Sequence, residues 1–334
     1  MMLEQSTVRR ARFRVSSTHV LALLVVAGIL WQAPLAAAVG AHVRLRTGLT
    51  MFVGVFVQAV PFLVLGVLVS GLIAAFASPL VLRKILPRNE TAAIGVGGLA
   101  GIALPGCECG VVPVARRLID QGAPGSVALA FLLSAPAINP VVLVSTAVAF
   151  PGEPGMVAAR FAGSLATALM MGLLWSRFGS AHWLLPTGRG ASCAVGRTRA
   201  EVFAEAARHD FLQAAAFLVL GAATAAVLHV LVPPHWYEQL AGQILLAILV
   251  LAVLAVVLAL CSEADAFVAA SMSSLPLLPR LVFLVVGPAV DVNLFAMQAG
   301  TFGRRFALWF SPLTFVVALV CATLAGLAFL GGVR

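Results

Sequence analysis

The stretch LPGCECGVVPVARRL, residues 104–118, places two thiols, a carboxyl group and two prolines in a chain that otherwise avoids polar groups. Cys107 and Cys109 flank Glu108. A Cys-X-Cys pair in irregular backbone can bring two soft sulfur ligands to one ion, which suits Cu(I), Zn or trivalent arsenicals and antimonials. The thiolate is the ligand form, and free backbone amides or a helix N-terminus at a chain break favour it. A lone cysteine in an apolar segment is ordinarily a small hydrophobe; Cys193 and Cys321 are read that way.

Acids inside apolar segments form a second set: Glu108, Glu263, Asp265 and Asp291. An ionised carboxylate at mid-membrane is costly unless paired, hydrated or protonated. Carboxyl groups held away from water can exchange protons near neutral pH, which proton-coupled transport requires. The plainer alternative is an acid paired with Arg116, Arg117 or Arg280 at an interface, Asp265 being the foremost candidate. SAPAINP (134–140) and GPAVDVN (287–293) share a device in which Pro136 or Pro288 stands three residues before Asn139 or Asp291, with Pro140 after the first. Carbonyls and amides freed at such breaks can coordinate a substrate or ion, and an ordinary proline kink is the competing account. The six histidines show no metal-ligand spacing.

The elements that position these groups follow from composition. The chain is 62% hydrophobic and 10% charged, with a mean hydropathy of +1.08. Those values describe a polytopic membrane protein. Apolar runs fall at 19–40, 49–78, 92–114, 126–150, 156–176, 211–232, 241–272, 280–302 and 306–331. They are read as helices, because lipid satisfies no open backbone and the alternation of a barrel is absent. The 21 Lys and Arg against 12 Asp and Glu lie in short loops and at run ends, so they signal topology rather than nucleic acid. Arg9, Arg10, Arg12 and Arg14 predict a cytoplasmic arm over 1–17, followed by an uncleaved helix and loop over 18–48.

Around a polar, cytoplasmic linker at 177–210 the sequence repeats itself. Gln58 with Phe62–Gly66 returns as Gln213 with Phe217–Gly221, and Cys107 with Val114–Ala115 returns as Cys261 with Val268–Ala269. Phe131, Pro136 and Asn139 return as Phe283, Pro288 and Asp291, and Arg160–Ala162 as Arg305–Ala307. Such order predicts two units, 49–176 and 211–331. Arg83, Lys84 and Arg88 close the 49–78 helix on the cytoplasmic side, whereas the second unit enters from the linker, so the units are expected to be inverted. Inversion needs an odd number of crossings. One segment must then dip and return, and PGCECG is the candidate tip: Pro105 lacks a donor, while Gly106 and Gly110 permit unusual dihedrals. A fully crossing helix with PGCECG as its unwound centre is the rival.

PGCECGVVPVARRL, AFLLSAPAINPVVLVST, CSEADAFVAAS and FLVVGPAVDVN resemble the predicted permease family that includes the organoarsenical efflux permease ArsP and the YraQ-type proteins. The resemblance covers roughly residues 49–330. It implies a multi-pass inner-membrane permease with duplicated halves and, for some members, export of trivalent organoarsenicals. Carried over position by position, it singles out Cys107, Cys109, Pro136, Asn139, Pro140, Cys261, Glu263, Asp265, Pro288 and Asp291.

The expectation is therefore an all-α polytopic protein with two inverted repeats, broken or re-entrant helices and an extra N-terminal transmembrane helix. It acts as a secondary transporter for a thiophilic metalloid or metal species, coupled to protons. Cys107, Cys109, Asn139 and Cys261 bind substrate, the two CxC thiols being the soft-ion ligands. Glu108, Glu263, Asp265 and Asp291 carry protons. No cofactor is called for: GVGGLAG at 95–101 lacks the GK[ST] of a phosphate-binding loop. Partners are a small-molecule or ion substrate and the bilayer, and an oligomer is compatible with the sequence. The alternative class is a membrane thiol/disulfide oxidoreductase cycling the CxC pair; a scaffold subunit is a third, for which buried acids are a costly choice.

Overall fold

The computed structural model describes residues 43–76, 86–104, 108–180, 183–184, 198–231, 243–273 and 275–331. The N-terminal arm, the 19–40 run, Arg83 and Lys84, the Pro105–Cys107 tip and Cys193 lie outside them. Met1–Thr47 forms a unit apart from Gly48–Arg334, and only its last residues, the start of the first helix, are described.

Every regular element among the described residues is helical. The first six are α1 (Val43–Phe76), α2 (Glu90–Ala100, extended by a 3₁₀ turn to Ala103), α3 (Glu108–Asp120), α4 (Gly125–Ile138), α5 (Pro140–Ala149) and α6 (Pro154–Phe178). They are followed by α7 (Arg199–Leu231), α8 (Ile244–Leu258), α9 (Ala264–Ser271), α10 (Leu277–Ala289), α11 (Val292–Thr301) and α12 (Arg304–Phe329). One succession thus occurs twice: a long helix, four short ones and a helix of about 25 residues.

Among the described residues, five stretches are long and apolar enough to cross a membrane: Leu45–Phe76, Gly125–Ala149, Pro154–Phe178, Leu277–Thr301 and Arg304–Phe329. On the outward faces the exposed residues are themselves apolar, as with Val57 and Leu72 on α1 and Leu308, Trp309 and Leu324 on α12. A helix apolar on all sides suits lipid on one face and protein on the other. The molecule is a multi-pass helical membrane bundle.

Four apolar runs are divided, 126–150 and 280–302 at Asn139 and Asp291 and two others at longer breaks. The 92–114 run becomes α2 and α3 with Leu104 extended between them, and the 241–272 run becomes α8 and α9. The linker differs from a plain polar connection as well, since Arg199–Asp210 already belongs to α7. Thr198 and Glu201 explain the early start: Thr198 N–H donates to Glu201 Oε2 (2.9 Å) and Glu201 N–H to Thr198 Oγ1 (3.3 Å). This reciprocal cap launches the helix before its apolar face begins.

The chain over 90–120 leaves one end of α4 and returns to it. Ser126 Oγ at the start of α4 donates to Glu90 at the start of α2 (3.2 Å), and only four residues separate the end of α3 from the start of α4. Both α2 and α3 pack on α4, and α8 and α9 on α10 in the same way. The last helices of the two successions, α6 and α12, lie antiparallel. Gly155 at the start of α6 faces Phe329 at the end of α12, while Trp175 near the other end of α6 stacks edge-on against Phe306 and Phe310, with ring centroids 5.4 and 6.1 Å away.

At one crossing backbone meets backbone. A methyl group on Gly110 would stand 2.6 Å from the Phe62 carbonyl oxygen and 3.2 Å from Gly66 Cα. Gly110 is thus the third residue of an ordinary helix, and its lack of a side chain serves the approach of α3 to α1 rather than an unusual dihedral. Gly110→Val is expected to destabilise the protein by about 3 kcal/mol, the upper part of the overpacking range, because main chain cannot step aside. Thermal unfolding in detergent checks this. Gly54→Val, where a Cβ meets nothing within 4 Å, should leave stability unchanged or raised.

Candidate functional site

The two 25-residue spans that contain α4–α5 and α10–α11 are interrupted at matching places. Asn139 and Asp291 are each the fifteenth residue of their span, in extended backbone (ψ 156° and 173°). Asn139 Oδ1 accepts from Val142 N–H (3.0 Å), and Asp291 Oδ1 from Leu294 N–H (2.6 Å). Each is an N-cap satisfying an amide that the following helix leaves open. Asn139 also donates through Nδ2 to Ala135 O (3.0 Å), closing the helix behind it. Pro136 and Pro288 sit inside α4 and α10, which continue past them, so the interruption falls at the capping residues. Pro140 occupies the first turn of α5, where a missing N–H costs nothing.

A third break separates α8 from α9. Ala259 caps α8 in left-handed backbone (φ 45°), and Cys261, Ser262 and Glu263 follow before α9 begins. Cys261 Sγ donates to Glu263 Oε2 (2.6 Å). Asp265, 1% exposed, lies in the first turn of α9.

Arg160 joins these parts. It projects from α6 and is wholly buried. Its Nη1 donates to Thr146 Oγ1 on α5 (2.7 Å) and its Nη2 to Ser262 O (2.9 Å), with Asp265 Oδ2 3.6 Å from Nη2. Glu108, at the head of α3, is buried and accepts from Asn293 Nδ2 on α11 (3.4 Å). Glu108 lies within electrostatic range of Glu263, Asp265 and Asp291, and Asp265 of Arg160 and Glu263. Acids from three short helices and their breaks thus lie within electrostatic range of one another, and two of them, Asp265 and Glu263, also of the Arg160 guanidinium. Uncompensated charge would be strongly destabilising here, so the arrangement needs either that cation or protons.

Expected and observed partners differ in detail. Asp265 is ion-paired, but with Arg160. Arg117 instead makes a two-pronged pair with Asp210 (Nε and Nη2, 3.1 Å each), Arg116 pairs with Asp120 (3.1 Å), and Arg280 donates to Leu275 O (2.8 Å from Nε). These three basic residues stand near helix ends, where Arg116 and Arg280 find partners in neighbouring turns and Arg117 finds one on α7. The match of Arg160 with Arg305 fails as well. Arg160 is buried within α6, while Arg305 is exposed at the start of α12; by helix starts the two elements are offset by 150 residues rather than 145. Between the corresponding helices α12 and α11 a neutral bond runs from Ser311 Oγ to Gln298 Oε1 (3.2 Å).

Cys107, Pro105 and Gly106 are outside the described residues, as is the side chain of Cys109, whose backbone lies in α3. Among the described residues no group of three His, Cys, Asp or Glu side chains is arranged to hold a metal ion. A recess of about 560 Å³ between α5 and α6, lined by Leu143, Phe150, Pro154 and Phe161 among others, includes none of the buried charges. Arg160, Thr146, Ser262 and Asn293 were not singled out from sequence as parts of the site. Only Arg160 carried a local signal, a cation in the middle of an apolar run.

A helical bundle with interrupted spans and buried ionisable groups at the interruptions defines a membrane permease. The chain belongs to the ArsP-type family described as predicted permeases, whose profile matches residues 44–327. It is 36% identical over 278 residues to the UPF0718 protein YcgR of Bacillus subtilis (strain 168), covering 82% of this chain and 94% of that one. It is 30% identical over 284 residues to a Streptococcus mutans protein named "Putative two-component membrane permease complex subunit", covering 83% and 94%. No solved structure matches the chain.

Proposed function

We propose that the protein is a secondary transporter of the inner membrane that exports a thiophilic metalloid or metal species, such as a trivalent organoarsenical, in exchange for protons. The observation that carries the reading is the mutual proximity of Glu108, Glu263, Asp265 and Asp291, with Arg160 against Asp265, beside the interruptions at Asn139 and Asp291. Cys107 and Cys109 adjoin Glu108 in sequence and supply the soft ligands, with Cys261 and Asn139 completing the binding set. The four carboxyl groups take up and release protons as access alternates.

Alternating access follows from two inverted repeats in this reading. The repeated succession of helices, the antiparallel packing of α6 on α12, and the exchange in which α5 packs on α9 while α11 packs on α3 all support it. The return of residues 90–120 to one end of α4 supports a re-entrant hairpin with PGCECG at its tip. The N-terminus lies in the cytoplasm on the charge rule. A second subunit is a candidate partner, because the streptococcal relative is named as a subunit of a two-component complex.

Accumulation of methylarsenite in everted vesicles tests the proposal. Uptake should appear only with this protein, respond to an imposed pH gradient and collapse with a protonophore. Thiol labelling of Cys107 should be blocked by the same compound. Uptake equal to that of empty vesicles removes the substrate assignment, and gradient-independent uptake removes the coupling.

A further inference from the structure

The contact between Arg160 and Asp265 is incomplete in a specific way. Arg160 Nη2 and Asp265 Oδ2 are 3.6 Å apart, about 0.8 Å beyond a charge-assisted hydrogen bond. Arg160 Nε and Asp265 Oδ1 are both buried and have no hydrogen-bond partner among the described residues. Nε with Nη2 on one side and the two carboxylate oxygens on the other are the four atoms of a side-on guanidinium–carboxylate fork. Both members of the pair therefore keep the unused half of that fork.

A buried charge pair left in this condition forfeits much of the attraction that offsets its desolvation. The same guanidinium is well bonded elsewhere, to Thr146 on α5 and to the Ser262 carbonyl at the α8–α9 break. Arg160 is thus held in place while its carboxylate partner stands off. Asp265 belongs to the eight-residue α9, which packs on α5 and α10, so α9 can shift toward α6 without a long helix moving. The other charged groups around the pair are Glu263 in the adjoining break and Glu108 on α3, both within electrostatic range, and Asp291 beside Asp265.

We propose that Arg160 and Asp265 form a clasp across the transport site, recorded here half open, that closes into a two-bond fork when α9 moves toward α6 in another state of the cycle. Arg160 is then a positioning residue for the proposed transport, setting where the Cys261–Glu263 break lies. The inference rests on the transporter reading, and its test separates the two.

Arg160→Lys keeps the charge but cannot make a side-on fork. In proteoliposomes of the full chain, with methylarsenite as the probe, R160K should protect thiols at a concentration within about 3-fold of the unmodified protein while its transport rate falls about tenfold or more. Transport at the unmodified rate, or binding and rate falling together, overturns the clasp. Independently of any substrate, spin labels carried by non-native amino acids at the exposed positions Met170 on α6 and Phe267 on α9 report the motion. The unmodified protein should show two separations and the Arg160→Gln/Asp265→Asn double variant only the longer. One separation shared by both proteins overturns the clasp even if methylarsenite is transported. Two separations, reduced to one in the double variant, sustain it even if methylarsenite is not transported and the substrate assignment fails.

Discussion

Asp265→Ala is expected to destabilise the protein by about 3–5 kcal/mol, the loss that follows when one member of a buried ion pair is removed and the other stays. The remaining member is Arg160, which is 0% exposed and has one other hydrogen-bonding side-chain partner, Thr146, besides the Ser262 carbonyl. Neither a hydroxyl nor a carbonyl neutralises a guanidinium, and Glu263, the other acid acting on Arg160, attracts it less than Asp265 does. Thermal or denaturant unfolding in detergent measures the loss. The control is Arg160→Met combined with Asp265→Ala, which removes both charges and should recover most of the stability, because an apolar pair in this position needs no compensation. If the single variant unfolds like the native chain, the pair is already neutral or hydrated, and the charge balance described for the site is wrong.

The second large effect is expected at Glu108. Glu108→Gln preserves shape and the hydrogen bond from Asn293 but cannot release a proton. In the transport reading it should lower gradient-driven methylarsenite uptake by roughly tenfold or more, while exchange of labelled for unlabelled compound at equal pH persists. That split separates loss of coupling from loss of binding. Equal loss of both activities would instead assign Glu108 to the substrate.

Much of this was legible before any coordinate, for physical reasons. Asn139 and Asp291 announce themselves because a proline followed by a capping side chain inside an apolar run has few other uses. Their caps are alike because both side chains offer an oxygen to the amide three residues on. The long spans are legible for the same reason any membrane span is, since lipid demands about 20 apolar residues. What escaped was contact between residues distant in sequence: Arg160 with Ser262, and Glu108 with Asn293, are separated by 102 and 185 positions. No local pattern encodes such meetings. The pairing of Arg160 with Arg305 shows the opposite error, in which like letters were matched although helix register places one in the core and the other at a helix start. The early start of α7 was legible in Thr198-x-x-Glu201 and was hidden by the polarity of the surrounding segment.

The crossing at Gly66 and Gly110 has a mechanical consequence. Ordinary helix pairs are separated by side chains, a compliant layer that lets one slide on the other. Here a carbonyl and a Cα are already in touch, so that layer is missing. At this point α1 and the short helix bearing Glu108 are coupled through main chain. A tilt of α1, as on a change in bilayer thickness, is expected to displace the carboxyl group that the short helix carries into the interior.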